Sequence, residues 1–293
     1  MAEAEPRCVV VTGASGFLGR AVTAAVTARW PEAAVISVSR ADGIDLGRAG
    51  ALDGIERADV VVHAAAMIPE PGDDSRDIEC WDANLAMARA VLGACRRWRP
   101  HQIVNVSSIS VYPMGRAPVL VEDVVPRPDG TYGAAKLACE HLVDLARLDG
   151  AAVAHLRLSS LYGVGQRRKS VVPLFLGLGL SGGLLSLYDG GRRTQDFLNV
   201  TDAADGIAAT IAAGADGCFN LGSGVATSMA ELAEAVLALP GCGGASSRVL
   251  DRPDPAPSVR VDIGRARTAF GFAPATSFTE GLRRMHDEQL AGR

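Results

Sequence analysis

Residues 132–136 read Tyr-Gly-Ala-Ala-Lys. In a helix, positions i and i+4 share one face, so this spacing sets a phenol beside an ammonium. A nearby ammonium favours the phenolate and lowers a tyrosine pKa from its usual value of about 10. A tyrosine so placed can exchange a proton with a carbonyl or an alcohol near neutral pH. Ser108 stands 24 residues upstream, at the end of an apolar run. Its hydroxyl can orient the same oxygen. Ser108, Tyr132 and Lys136 together suit hydride transfer at a carbon–oxygen bond, where a nicotinamide supplies the hydride and the protein handles the proton.

Composition sharpens that reading. The chain has 293 residues and 29 basic ones, of which only Lys136 and Lys169 are lysine. With four tyrosines, a chance Tyr-x-x-x-Lys is expected only about 0.03 times from composition. Lys136 is read as a position that needs a compact ammonium rather than a guanidinium. Lys169, in Arg167-Arg168-Lys169, is read as part of a solvated basic turn.

A cofactor cradle precedes this set. Thr12-Gly13-Ala14-Ser15-Gly16-Phe17-Leu18-Gly19 follows the first strand-like run and opens a helical pattern. Glycines let the backbone turn tightly and approach a pyrophosphate, and a helix N-terminus offers free N–H groups to the anion. The second strand-like run ends at Ser39-Arg40, where an acid would indicate NAD. A guanidinium and a hydroxyl suit a 2′-phosphate instead. The expected cofactor is therefore NADP, with NAD the alternative. Asp45 and Leu46 are placed beside the adenine ring.

These groups need elements to hold them. Arg7–Thr12, Ala34–Ser39, Val60–His63, Gln102–Ser107 and Ala152–Leu158 read as strands, apolar on both faces. Such strands belong to a parallel sheet covered on both sides. Gly16–Trp30, Ser75–Trp98 and Tyr132–Leu148 read as helices between them. The alternation predicts an α/β, doubly wound parallel sheet. After about residue 160 the pattern loosens, and residues 240–258 read as loops. Val171–Tyr188 is mostly apolar but broken by Pro173 and several glycines. It is read as a buried helix followed by a loop, not a membrane span.

The net charge of −4 argues against a basic nucleic-acid-binding protein. The six cysteines have no zinc or C-x-x-C spacing and are read as reduced thiols. The histidines show no metal spacing, so no metal is expected. His63 is read as packed beside the cofactor loop. The short acidic start is not a signal peptide, and the expected location is the cytoplasm.

The chain resembles the extended short-chain dehydrogenase/reductases, and within them the nucleotide-sugar epimerase/dehydratase/ketoreductase group. The matching segments are TGASGFLG at 12–19, HAAA at 63–66, SSISVY at 107–112, YGAAK at 132–136 and LRLSSLYGVGQ at 156–166. Further matches are RRTQDFLNVTDAADGI at 192–207, FNLGSG at 219–224 and AFGFAPATSFTEGL at 269–282. The resemblance implies a Rossmann domain over 1–160. A smaller, less regular, substrate-binding part would follow over 161–293, with some segments returning to the first domain. It implies that Gly13, Ser15, Gly16, Phe17, Leu18 and Gly19 hold the cofactor diphosphate. Ala64, Ala65 and Ala66 would line the ribose and adenine side. Asn84, Ser159 and Leu161 would lie toward the nicotinamide, Ser107 would also bind the cofactor, and Met67, Ser108, Ser160, Arg193 and Gln195 would lie toward the substrate.

Two departures matter. Dehydratases of the group carry Thr-Asp-Glu where this chain has Ser107-Ser108-Ile109, which argues against dehydration. The arginine that usually precedes Asp-Phe and contacts a substrate diphosphate is Gln195 here, so Arg193 or Arg192 would have to substitute. The expected activity is an NADPH-dependent ketoreductase of a nucleotide-linked keto-sugar of the 4-keto-6-deoxyhexose type. The alternatives are an epimerase with tightly bound NAD(P), a reductase of a non-sugar ketone and a non-catalytic dinucleotide sensor. A homodimer through the helices at 75–98 and 132–148 is expected, with no membrane or nucleic-acid partner.

Overall fold

The computed structural model describes residues 5–69, 74–117, 119–167 and 170–291. Lys169 lies outside the described residues. The first half alternates as expected. Strand β1 (Cys8–Thr12) leads into helix α1 (Phe17–Arg29), then β2 (Ala34–Val38) and β3 (Val60–His63). Helix α2 (Asp77–Trp98), β4 (Gln102–Ser108), α3 (Thr131–Asp144) and β5 (Ala152–Leu158) follow. The α3 helix stops four residues before the predicted Leu148, and Leu145–Asp149 continue as a 3-10 turn.

The remainder is built of shorter pieces: β6 (Ser160–Tyr162), α4 (Val171–Leu180), β7 (Leu184–Tyr188), β8 (Thr194–Asn199), α5 (Val200–Ala212) and β9 (Gly217–Leu221). Then come β10 (Ala226–Ser228), α6 (Met229–Leu237), β11 (Ser246–Leu250), α7 (Gly264–Phe270) and α8 (Phe278–Ala291). Among the described residues, six strands form one parallel sheet in the order β2-β1-β3-β4-β5-β9. The smaller β10-β8-β6 and β11-β7 sheets lie apart from it.

Successive strand residues point to opposite faces, and the core follows that rule. Val9, Val11, Val60, Val62, Val104 and Leu156 pack with Val22 and Val26 of α1 and Ile207 and Ile211 of α5. Their neighbours Val10, Val61, Ile103 and Val153 pack on the other face with Val91 and Cys95 of α2 and Cys139 and Val143 of α3. Two covered faces explain why these strands carry no polar alternation. Five cysteines are buried, and Cys8, Cys95 and Cys139 serve in the strands and helices as small hydrophobes.

Two predicted loops are partly strand. Leu184–Tyr188 is β7, not a loop, with Leu185 and Leu187 buried while Leu184 and Ser186 are exposed. Ser246–Leu250, inside the stretch read as loops, is β11 and pairs with it in parallel. β7 is short and follows Gly182-Gly183 within a longer apolar stretch, and β11 is mostly exposed, so neither stands out as a strand. A third core joins Phe175 and Leu176 of α4, Phe197 of β8, Leu232 and Val236 of α6 and Leu282 and Met285 of α8. Tyr162 meets Phe197 edge-on, and Phe278 packs against both, stacked on Phe197, with ring centroids 5.2 to 6.3 Å apart. Among the described residues, no helix is long and apolar enough to cross a membrane.

Candidate active site

Parallel strands end together, and an open parallel sheet binds ligands outside its carboxyl ends. Thr12, Val38, His63, Ser108 and Leu158 are those ends here. The predicted site residues at 13–19, 39–46, 64–67 and 159–161 follow directly from them, and Ser107 and Ser108 close β4 itself.

Gly13 adopts φ 70°, and a Cβ there would lie 2.8 Å from the Ala65 backbone. A Cβ at Gly19 would run into the Gly13 carbonyl. The turn is thus closed around bare backbone. Gly16 caps α1 with no side-chain hydrogen bond, and no acid stands in the first turn. The uncapped N–H groups of that turn and the helix dipole suit an anion. These residues fit the diphosphate of a dinucleotide. Ser15 is exposed beside them, and its carbonyl accepts from Arg20 Nη1 at 2.7 Å.

At the end of β2 the Ser39 hydroxyl donates to the Asp42 carboxylate at 2.5 Å. Arg40 is exposed on the same 3-10 turn. Asp45 accepts from the Gly47 backbone N–H at 3.0 Å, and Leu46 is buried. Past β3, Thr12 Oγ1 accepts from Ala65 N–H at 3.2 Å and pairs with His63 Nδ1 at 2.9 Å. Ala65 is buried, with Ala64 and Ala66 half-buried on either side. His63 is buried as read from sequence. Burial, and then the charge of Lys136, push it down to about 3, so it is neutral at physiological pH. Asn84 on α2 grips the next residue: its amide accepts from Met67 N–H at 3.0 Å and donates to the Met67 carbonyl at 2.8 Å.

The serine segment and α3 meet closely. Ser108 ends β4, and its hydroxyl accepts from Ser110 N–H and donates to Ser110 Oγ, both at 3.1 Å. Gly133 lies directly after Tyr132, and a Cβ there would overlap the Ser110 carbonyl. Thr131 ties the start of α3 to α2 by donating to Asp77 Oδ2 at 2.7 Å. Tyr132 is half-buried at the helix start, and Lys136 is 3% exposed one turn later. Burial pushes the Lys136 ammonium below its ordinary value; Cys139, Glu140 and Cys80 pull it back.

Residues 9–222 match the NAD dependent epimerase/dehydratase family. The chain belongs to this family. It is 31% identical over 237 residues to a dTDP-glucose 4,6-dehydratase of Streptomyces griseus, covering 76% of this chain and 69% of that one. It is also 31% identical over 176 residues to dTDP-L-rhamnose 4-epimerase of Burkholderia thailandensis, covering 58% of this chain. That match spans about half, 48%, of the relative. The solved structure of MoeE5 in complex with UDP-glucose and NAD superposes with a TM-score of 0.83 at 25% identity, covering 97% of this chain and 99% of that one. The chain is an enzyme of the short-chain dehydrogenase/reductase type, with the Rossmann sheet of these epimerases and dehydratases.

The second half of this epimerase/dehydratase chain joins the site through β6 and β8. Ser159 is turned inward: its hydroxyl donates to buried Asp196 at 2.9 Å, and its N–H to the Leu221 carbonyl at 2.8 Å. Leu161 is half-buried, and its carbonyl accepts from Gln166 at 3.2 Å. Ser160 accepts a hydrogen bond from Gln195 Nε2. Gln195 in turn accepts from Arg193 Nη1 at 2.8 Å, while Arg193 Nε donates to Asp254 at 3.0 Å. Ser160, Gln195 and Arg193 are thus brought together as one chain. Arg192 is exposed and pairs with Asp189.

Sequence reasoning missed a buried polar network behind α3. Glu140 Oε1 accepts from Ser107 Oγ at 2.5 Å and from Arg157 Nε at 3.0 Å. Its Oε2 accepts from Arg157 Nη2 at 2.7 Å. Arg157 Nη1 donates to Tyr112 OH at 3.0 Å, and Tyr112 OH donates to Asn220 at 2.7 Å. The available signal was Glu140 four residues after Lys136, on the same helix face. Asp42 and Asp254 were also missed. Each is an ordinary acid in a polar stretch until its partner is known.

Proposed function

We propose that this enzyme is an NADPH-dependent ketoreductase of a nucleotide-linked keto-sugar of the 4-keto-6-deoxyhexose type. The observation that carries the reading is Lys136, buried one turn after Tyr132 on a helix seated against the serine segment. The nicotinamide, when bound, supplies the hydride. Tyr132 OH gives its proton to the carbonyl oxygen, and Ser108 Oγ donates to that oxygen and fixes its direction. The Lys136 ammonium stabilises the charge left on the Tyr132 oxygen. Gly13, Gly16 and Gly19 let the α1 N-terminus receive the cofactor diphosphate, and Asn84 fixes the backbone at Met67 beside it. Arg40 reaches the 2′-phosphate.

Serine and isoleucine at 108 and 109 supply no acid or base for eliminating water, so dehydration is not part of the proposal. Ser160, Gln195 and Arg193 face the sugar nucleotide, with Arg193 in place of the arginine missing at 195. The outer faces of α2 and α3 pair two copies in a homodimer.

Epimerisation is the second reading, and one observation favours it. The Ser39 hydroxyl is already donated to Asp42, so a carboxylate stands near the end of β2, and an acid near that strand end favours NAD. Incubation with NADPH and a dTDP-4-keto-6-deoxyhexose separates the two. Oxidation followed at 340 nm supports the reductase. No net oxidation with any keto-sugar nucleotide, together with tightly copurifying NAD, establishes the epimerase instead.

A further inference from the structure

Lys136 is fully enclosed, yet its proposed role needs it charged. Burial disfavours an ammonium strongly, so something must hold the charge in place. Around it stand His63 on β3, Cys80 on α2 and, on its own helix, Tyr132, Cys139 and Glu140. His63 is neutral. Thiols help only as thiolates, and burial pushes Cys139 away from that form. Glu140 is different. Its carboxylate is buried, lies one turn beyond Lys136 on the same face, and is clamped by three hydrogen bonds from Ser107 and Arg157.

The clamp also reaches the other half of the site. Ser107 is the residue before Ser108, so Glu140 fastens the end of β4 to α3 from behind. Arg157 carries the same network into β5, and through Tyr112 to Asn220 on β9.

We propose that Glu140, held by Arg157 and Ser107, is a positioning residue that keeps Lys136 an ammonium and locks the Ser108 strand end against α3. The role rests on the Ser-Tyr-Lys reading above. Glu140 is buried one turn past Lys136, bonded to Ser107 and Arg157, and acts through its neighbours. Arg157 is needed because an unpaired buried carboxylate would itself take up a proton.

The chain's two lysines make a direct test simple. Protein labelled with carbon-13 at lysine Cε gives two signals, and Lys136→Met assigns them. In Glu140→Gln the Lys136 titration midpoint is expected to fall by about one pH unit while Lys169 stays put. Glu140→Asp restores it. Because Glu140→Gln strands the Arg157 charge, the paired variant Glu140→Gln/Arg157→Met removes both charges and relieves that strain. A midpoint that still falls in the paired variant, with unchanged circular dichroism, supports the proposal. A midpoint at the wild-type value there overturns it. Loss of the fold in both Gln variants makes Glu140 a structural residue alone and overturns it too. Turnover separates this from the parent reading. Full activity in Lys136→Met sinks the Ser-Tyr-Lys assignment whatever Glu140 does. An inactive Lys136→Met with an unmoved Lys136 midpoint in the paired variant sinks only the role of Glu140.

Discussion

Gly133 lies so close to the Ser110 carbonyl that no Cβ fits between them. This contact sets how near α3, with Tyr132 and Lys136, comes to the strand end carrying Ser108. It converts two distant sequence segments into one site. Gly133→Ala is therefore expected to push α3 outward. A displacement of about 1 Å at a reacting group costs on the order of a hundredfold in rate. The overpacking destabilises by about 1–3 kcal/mol. Steady-state kinetics and urea unfolding check the two effects, and wild-type turnover would show that the contact does not set the site.

Lys136→Arg is expected to lose at least about a hundredfold in turnover, the lower range for a general acid–base element. The larger, permanently charged guanidinium does not fit a position only 3% exposed. Lys169→Arg, outside the described residues and read as a solvated turn, is the control and should lose little. Equal activities in the two variants would count against the proton-transfer role.

Arg40→Glu is expected to weaken NADP binding by about 2 kcal/mol, the scale of a hydrogen bond to a charged group. NAD binding should change little or improve. Isothermal titration with each cofactor reads this directly. A wild-type protein that already prefers NAD would remove Arg40 from cofactor selection and point to Asp42.

Stability should fall on acidification through His63. Burial and then the Lys136 charge hold it down at about 3 in the folded chain, against about 6.5 in an unfolded one. Between those values the unfolded chain binds more protons, so stability rises with pH. The contribution is complete above about pH 6.5 and is lost progressively toward pH 3. The slope is at most about 1.4 kcal/mol per pH unit. Urea midpoints from pH 4.5 to 7 should therefore show a steeper dependence in the wild type than in His63→Gln. Parallel curves would mean that other groups dominate the acid limb.

Local chemistry was legible without coordinates. The glycine turn, Tyr132 with Lys136 and the doubly covered strands each follow from one short stretch, because backbone geometry and side-chain period act over a few residues. Val60–His63 and Ala152–Leu158 were read at their observed bounds for that reason. β7 and β11 were not: β7 is only five residues long and continues an apolar stretch already read as helix and loop, and β11 is mostly exposed and shows no apolar run. What only the tertiary structure decided is partnership. Glu140 and Arg157 lie 17 residues apart, Arg193 and Asp254 61 apart, and Thr12 and His63 51 apart. No local pattern marks such pairs, since each arises from where the sheet order brings separate segments. Burial then turns ordinary polar residues such as Glu140, Arg157 and Tyr112 into a network behind α3. The sequence by itself determined which groups could do the chemistry; the packing of α3 between β4, β5 and α2 decided what holds them in place.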